Sequence, residues 1–177
     1  MALNLLALKY VVLILLAIPI TTPVNSKNMD IKMEIIIQKQ VKTVFEFLSN
    51  FENMPKWNYY VMKVSKTTEG PVRYGTVFHQ LRKSDKQDYE IIEFEYPNQI
   101  TIETLPPKRH LTMRFKLLET GNGTLVEDEW QLEVPWFIGL FARNRIRSAV
   151  SENLGKLKTL LETGQAVLQD GRTKRLQ

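Results

Sequence analysis

The stretch TLVEDEWQLEVPWFIGLFARNRIRSAVSENLGKLKTLLETG, residues 124–164, carries two periodicities in succession, and their order decides the fold. From Thr124 to Val134 the chain alternates: Thr124, Val126, Asp128, Trp130, Leu132 and Val134 share one face, and Leu125, Glu127, Glu129, Gln131 and Glu133 the other. A period of two is that of a half-buried strand, so the first row faces inward. After Pro135 the period becomes 3.6. Ile138, Phe141 or Ala142, Ile146, Ala149, Val150, Leu154, Leu157, Leu160 and Leu161 then trace one apolar face of a long helix, which Gly164 ends.

Upstream lie segments rich in Val, Ile, Thr, Tyr and Phe at 61–68, 74–84, 87–96, 99–105 and 109–119. Their punctuation is Glu69-Gly70-Pro71, Ser84-Asp85-Lys86, Pro97-Asn98, Pro106-Pro107 and Gly121-Asn122-Gly123. Connections this short demand antiparallel neighbours. Before them, Ile31, Met33, Ile35 and Ile37 alternate with Lys32, Glu34 and Gln38 as a first strand. Val41, Val44, Phe45 and Leu48 mark a short helix, and residues 51–56 fit a second helical piece before Trp57. The expectation is an α+β domain: a seven-stranded antiparallel sheet curled around a long C-terminal helix, with two short helices after the first strand. A bent sheet wrapped on one helix leaves space that side chains cannot fill, so a cavity is expected between them.

The chain has 177 residues, of which 44% are apolar and 24% charged. That is enough for one domain with its own core. Residues 29–164 form that domain in this reading, between an apolar N-terminal segment, 1–28, and a polar basic tail, 165–177, expected to be mobile. The net charge is +5, but Lys9 and Lys27 hold two of these charges and residues 170–177 a net two more. The body is therefore nearly neutral and lacks the basic stripe of a nucleic-acid binder. With no cysteine there is no disulfide, thiolate nucleophile, iron–sulfur cluster or cysteine zinc site.

Tyr10 to Ile20 is an uninterrupted apolar run of eleven residues, preceded by Lys9 and followed by the polar residues 21–28. At about 1.5 Å per residue it falls short of the roughly 30 Å of a bilayer core unless extended back to Leu5. A positive start, an apolar centre and the small-x-small exit Val24-Asn25-Ser26 read as a secretory signal; a retained anchor contacting a membrane through residues 5–20 is the second reading. Both place the protein outside the cell or at a membrane. Translation starting at Met29 would leave it cytoplasmic.

The residue order Ile35-Ile36-Ile37, Val44-Phe45-Glu46-Phe47-Leu48, Phe51-Glu52-Asn53-Met54-Pro55-Lys56-Trp57-Asn58, Tyr74-Gly75-Thr76 and Gly121-Asn122-Gly123-Thr124, closed by a long helix, resembles the SRPBCC superfamily. These are the START, Bet v 1 and polyketide cyclase/dehydrase-like proteins, with the helix-grip fold. The resemblance implies a hydrophobic cavity between sheet and terminal helix that takes lipids, polyketides, hormones or other apolar ligands. It does not imply catalysis, because the superfamily mixes carriers, receptors and enzymes.

Candidate cavity residues follow from the inward rows. Leu111, Met113, Phe115 and Leu117 alternate with polar neighbours, as do Ile100 with Ile102, and Ile92 with Phe94 and Tyr96. Phe94, Met113, Phe115 and Trp130 are the apolar candidates, and Phe141 joins them from the helix. Trp57, Tyr59 and Tyr60 fall where the resemblance puts the cavity mouth. Asp128 stands in an apolar row, where an unpartnered carboxylate is costly. It is read either as a ligand contact or general base with a raised pKa, or as a group bonded to a neighbour. His79 alternates with Val77 and Leu81 and is expected inward. His110 sits beside the Pro106-Pro107 turn.

No metal or other cofactor is expected, since two distant histidines without HExxH spacing make no zinc site. No nucleophile elbow, GxxxxGK or GxGxxG occurs. Arg143, Arg145 and Arg147 near the helix start suit either solvent or an anionic head group. Asn122-Gly123-Thr124 is a hairpin turn as well as a glycosylation sequon. The leading functional expectation is non-covalent binding or transport of an apolar small molecule, with Asp128, His79 and Tyr60 as polar contacts. The alternative is a cyclase or dehydratase acting on a polyketide-like substrate in the same cavity, and a third reading is a membrane-tethered interaction module. The oligomeric state is left open.

Overall fold

Seven strands pair antiparallel in the order β1-β7-β6-β5-β4-β3-β2, so the first and last strands are neighbours and every other pairing is a sequential hairpin. The computed structural model describes residues 26–108 and 110–176; the side chains of residues 26, 27 and 135–141 lie outside that description. The elements are β1 (Ser26–Ile37), α1 (Val41–Ser49), a 3₁₀ turn (Phe51–Lys56), β2 (Val61–Lys66), β3 (Val77–Arg82), β4 (Lys86–Glu95), β5 (Gln99–Thr104), β6 (Leu111–Thr120), β7 (Gly123–Pro135), α2 (Trp136–Thr163), β8 (Gln165–Val167) and β9 (Thr173–Arg175). This is the expected helix-grip arrangement. The strand that starts the domain begins at Ser26, three residues before the expected boundary at Met29.

β7 shows why the sheet packs as it does. Thr124, Val126, Asp128, Leu132 and Val134 are buried and Trp130 half-buried, while Glu127 and Glu129 face out and join Lys32, Arg114 and Lys116 in a ladder of ion pairs. One face is carbon against the helix and the other is charge against water, which pins the register, because a slip of one residue would exchange the faces. On α2, Ile146, Val150, Leu154, Leu157, Leu160 and Leu161 are buried, a stripe at spacings of three and four. Polar side chains also fasten this helix to β1. Arg143 Nη2 donates to Asp30 O at 3.2 Å, Lys158 Nζ to Ile36 O at 2.5 Å, and the Gln38 amide donates to Glu162 Oε1 at 2.7 Å.

Gly123, at the turn into β7, has φ +126°, and a Cβ there would stand 2.2 Å from Ile37 O. Only glycine lets the end of β1 pass so close.

Three expectations are corrected. In β3 the buried side chains are Phe78 and Gln80, so His79 is outward and Leu81 exposed. In β4, Gln87, Tyr89 and Ile91 face inward, and a register shift between Ile91 and Glu93 changes the phase, which leaves Ile92 half-buried and Tyr96 exposed. Beyond Gly164 there is a β8–β9 hairpin rather than a formless tail, because Ala166 and Leu168 are apolar enough to bury themselves against the domain. The readings of residues 1–25 fall outside the described residues. Among the described residues no helix is long and apolar enough to cross a membrane.

Candidate functional site

Between the sheet and the middle of α2 lies a cavity of about 100 Å³, bordered by Arg82, Lys83 and Ser84 at the β3–β4 turn. Ile146, Ala149, Val150 and Asn153 line it from the helix, one face at spacings of three and four. Opposite stand Ile102 of β5, Leu111 and Met113 of β6, and Trp130 and Leu132 of β7. Met54 and Val61 close the end beneath the 3₁₀ turn. A cavity of this size takes a ring-sized apolar group.

One wall is polar. Gln80 and Gln87 are both buried and bonded to each other, with Gln87 Nε2 donating to Gln80 Oε1 at 2.8 Å and Gln80 Nε2 to Met54 Sδ at 3.1 Å. Tyr89 follows Gln87 on the same face of β4. Its ring stacks on Phe78 at 5.8 Å and meets Phe51 edge-on at 5.6 Å, and burial pushes its phenol well above the ordinary range. Thr104 accepts from the Leu111 amide at 3.0 Å.

The mouth is charged but internally paired. Asp85 accepts from Arg82 Nε at 2.8 Å and from Lys108 Nζ at 2.9 Å. Burial opposes its ionisation, yet Arg82, Lys108 and Ser84 together hold its pKa below the ordinary value. Lys83 lies 3.0 Å above the Tyr59 ring and 3.6 Å from Asp170 of the C-terminal hairpin. Asn153 Oδ1 accepts from the Tyr59 amide at 3.4 Å and from Gln169 Nε2 at 3.5 Å, so the hairpin touches the rim at two points. Tyr60 is raised, first by burial and then by the charge of Glu152 and by Tyr59.

Of the sequence candidates, Tyr60, Met113 and Trp130 meet at this cavity. Trp57 is buried in the core beside it. Phe115 is fully buried on the row of Met113, opposite Asp128 in register. Phe94 lies elsewhere, packed edge-on against Phe45 at 5.3 Å in a cluster that Tyr96 completes. His79 is on the outer face, with Nδ1 2.6 Å from Asp88 Oδ1 and its side chain 43% exposed. This corrects its expected inward position. Phe141 falls outside the described side chains.

Asp128 is 2% exposed, as its row requires, and accepts a hydrogen bond from Trp130 Nε1 at 2.8 Å. Burial, the dominant cause, pushes its pKa up to about 8, against the pull of the Trp130 bond and with a small push from Glu129. Trp130 lines the cavity and Asp128 does not, so the carboxyl sits one side chain away. Sequence reading missed Met54, Gln80, Gln87, Tyr89 and Asn153. The signal available was Tyr89, an aromatic two residues from Ile91 on a strand-like run. Among the described residues no His, Asp and Glu gather as a metal site.

The chain resembles several solved structures at identities that speak to the fold alone. A protein of unknown function from Staphylococcus aureus superposes with a TM-score of 0.66 at 9% identity, covering 78% of this chain and 96% of its own. The Aha1 dimer from Colwellia psychrerythraea gives 0.61 at 15%, covering 77% and 98%. The di-domain ARO/CYC StfQ of the steffimycin biosynthetic pathway gives 0.61 at 13%, covering 77% of this chain and 51% of StfQ. No curated protein matches the sequence. The family profile described as polyketide cyclase / dehydrase and lipid transport matches residues 29–162, most of the chain and nearly all of the sheet and α2. The chain therefore belongs to the polyketide cyclase/dehydrase and lipid transport family, within the SRPBCC superfamily.

Proposed function

We propose that the domain binds an apolar small molecule non-covalently between the sheet and α2. The observation that carries this reading is the cavity itself, walled by Ile102, Met113, Trp130, Leu132, Ile146 and Val150. Apolar area removed from water supplies the affinity at about 25 cal/mol per Å², and the polar wall supplies orientation. The charges at the mouth are already engaged with Asp85 and Asp170, so an apolar ligand passes them without stripping an unpaired ion.

Native mass spectrometry of the full chain, purified gently and followed by organic extraction, tests this. The expected result is a reproducible apolar ligand near one-to-one, lost in Ala149→Phe, which fills the cavity from the helix side. A folded protein that carries nothing and takes up no apolar probe refutes it. The rival reading, a cyclase or dehydratase, is favoured by one feature, the neutral acid of Asp128 behind Trp130. It requires conversion of a bound polyketone that Asp128→Asn abolishes, whereas a carrier changes affinity alone. We place the protein outside the cell or at a membrane on the apolar run of residues 10–20, and fractionation of cells expressing the full chain checks that placement.

A further inference from the structure

Tyr89 is 1% exposed, lines the cavity, and its hydroxyl has no hydrogen-bond partner. Buried phenols normally find one, and leaving such a group unpaired is costly. Its polar neighbours differ. Gln80 and Gln87 bond to each other, Thr104 accepts from Leu111, Asn58 Oδ1 accepts from the Tyr60 amide, and Asn153 accepts from the Tyr59 amide. Among the described cavity-lining side chains, Tyr89 Oη is the buried polar atom left over. Nor can it turn elsewhere for a partner, because Phe78 stacks on the ring and Phe51 meets it edge-on.

Position adds to this. Gln87 follows the charged β3–β4 turn and Tyr89 lies two residues further along β4, about 7 Å further from that turn at the usual strand rise. Tyr89 thus stands away from the charged turn, at the inner end of a pocket whose facing wall is largely carbon. A carboxylate brought to this point would be buried among neutral groups, the phenol and the Gln80–Gln87 pair, which is costly; a neutral oxygen would not be.

We propose that Tyr89 is a specificity-determining hydrogen-bond donor, and that the ligand is an oxygenated apolar molecule whose inner end carries a ketone or hydroxyl oxygen. This rests on the ligand-binding reading above. Burial keeps the phenol protonated, so it has a proton to donate at any ordinary pH. The ligand class is narrowed accordingly: a pure hydrocarbon leaves the hydroxyl unsatisfied, and a fatty acid entering carboxylate first is excluded.

The test uses acetophenone and α-methylstyrene, the same skeleton with C=O replaced by C=CH₂. Affinities of both for the full chain, stripped of bound lipid, are measured by amide NMR titration for wild type and Tyr89→Phe. The expected result is that the acetophenone to α-methylstyrene affinity ratio falls about 2- to 10-fold in the variant, the worth of one neutral hydrogen bond. Equal ratios in the two proteins, with both probes bound, overturn this inference and leave the ligand-binding reading standing. Failure of wild type to bind either probe overturns both. Should Tyr89→Phe not fold, the wild type still decides through the infrared C=O stretch of bound acetophenone. A shift below its value in alkane solvent supports the donor, and an alkane-like stretch refutes it.

Discussion

Substituting Asp128 by Asn removes the ionisable group that is most out of place in this interior, and the consequence is calculable. The carboxyl lies in β7 between Met33 of β1 and Phe115 of β6, fully buried, with a pKa of about 8 in place of 3.8. The unfolded chain ionises near the lower value and the folded protein near the upper. Between them the unfolded state has released a proton that the folded state keeps, so stability falls as pH rises, by up to about 1.4 kcal/mol per unit. The accumulated cost at pH 7 is roughly 4 kcal/mol; it vanishes below about pH 4 and stops growing above about pH 8. Asn keeps the size and the acceptor for Trp130 Nε1 but cannot ionise. Its extra amide donors add a pH-independent penalty of about 1–3 kcal/mol, an offset that leaves the slope untouched. Urea unfolding followed by tryptophan fluorescence, at intervals from pH 4 to 8, should show the variant gaining on wild type by roughly 4 kcal/mol between about pH 4 and pH 7. Parallel profiles over that window would refute the claim that Asp128 is held neutral.

Asp85 should behave in the opposite sense. Its pKa is depressed, because the hydrogen bonds from Arg82 and Lys108 outweigh burial, so the stability it lends is present above its unfolded pKa and drains as pH falls through the folded one. Asp85→Asn should cost roughly 1–3 kcal/mol at pH 7 and progressively less as pH falls below the ordinary carboxylate range, as urea midpoints would show. Gly123→Ala drives a Cβ to 2.2 Å from Ile37 O at φ +126°, and should lower stability by roughly 3 kcal/mol or more in the same assay. Leu168, buried at 3% exposure in the β8–β9 hairpin, should cost about 2–5 kcal/mol when cut to Ala; a loss under about 0.5 kcal/mol would mean that the hairpin does not pack on the domain.

How far the chain could be read without coordinates depends on which residues carried the pattern. In β7 and α2 the periodicities are unbroken, because each element presents one continuous apolar row to one partner, and the strand and helix assignments there agree with the structure. β3 misled for a physical reason. Its row Val77, His79, Leu81 is richer in carbon than Phe78 and Gln80, but Gln80 is satisfied by Gln87 and Met54, so the buried row contains an amide and the exposed row a leucine. In β4 a single phase was carried through a strand that changes phase at the shift between Ile91 and Glu93. That error hid Tyr89, whereas Phe94, beyond the shift, faces inward as expected, opposite Ile100 and against Phe45, but away from the cavity.

Strand count, antiparallel pairing, the terminal helix and the burial of Asp128 were determined by the sequence, since each follows from local periodicity, turn chemistry and the cost of exposing carbon. The cavity's lining was decided by tertiary structure. Met54, Gln80, Tyr89, Trp130 and Asn153 come from five different elements, and only the packing of the sheet on α2 and the 3₁₀ turn brings them together. Curvature and bulges are long-range consequences of packing, and no residue's neighbours in sequence report them.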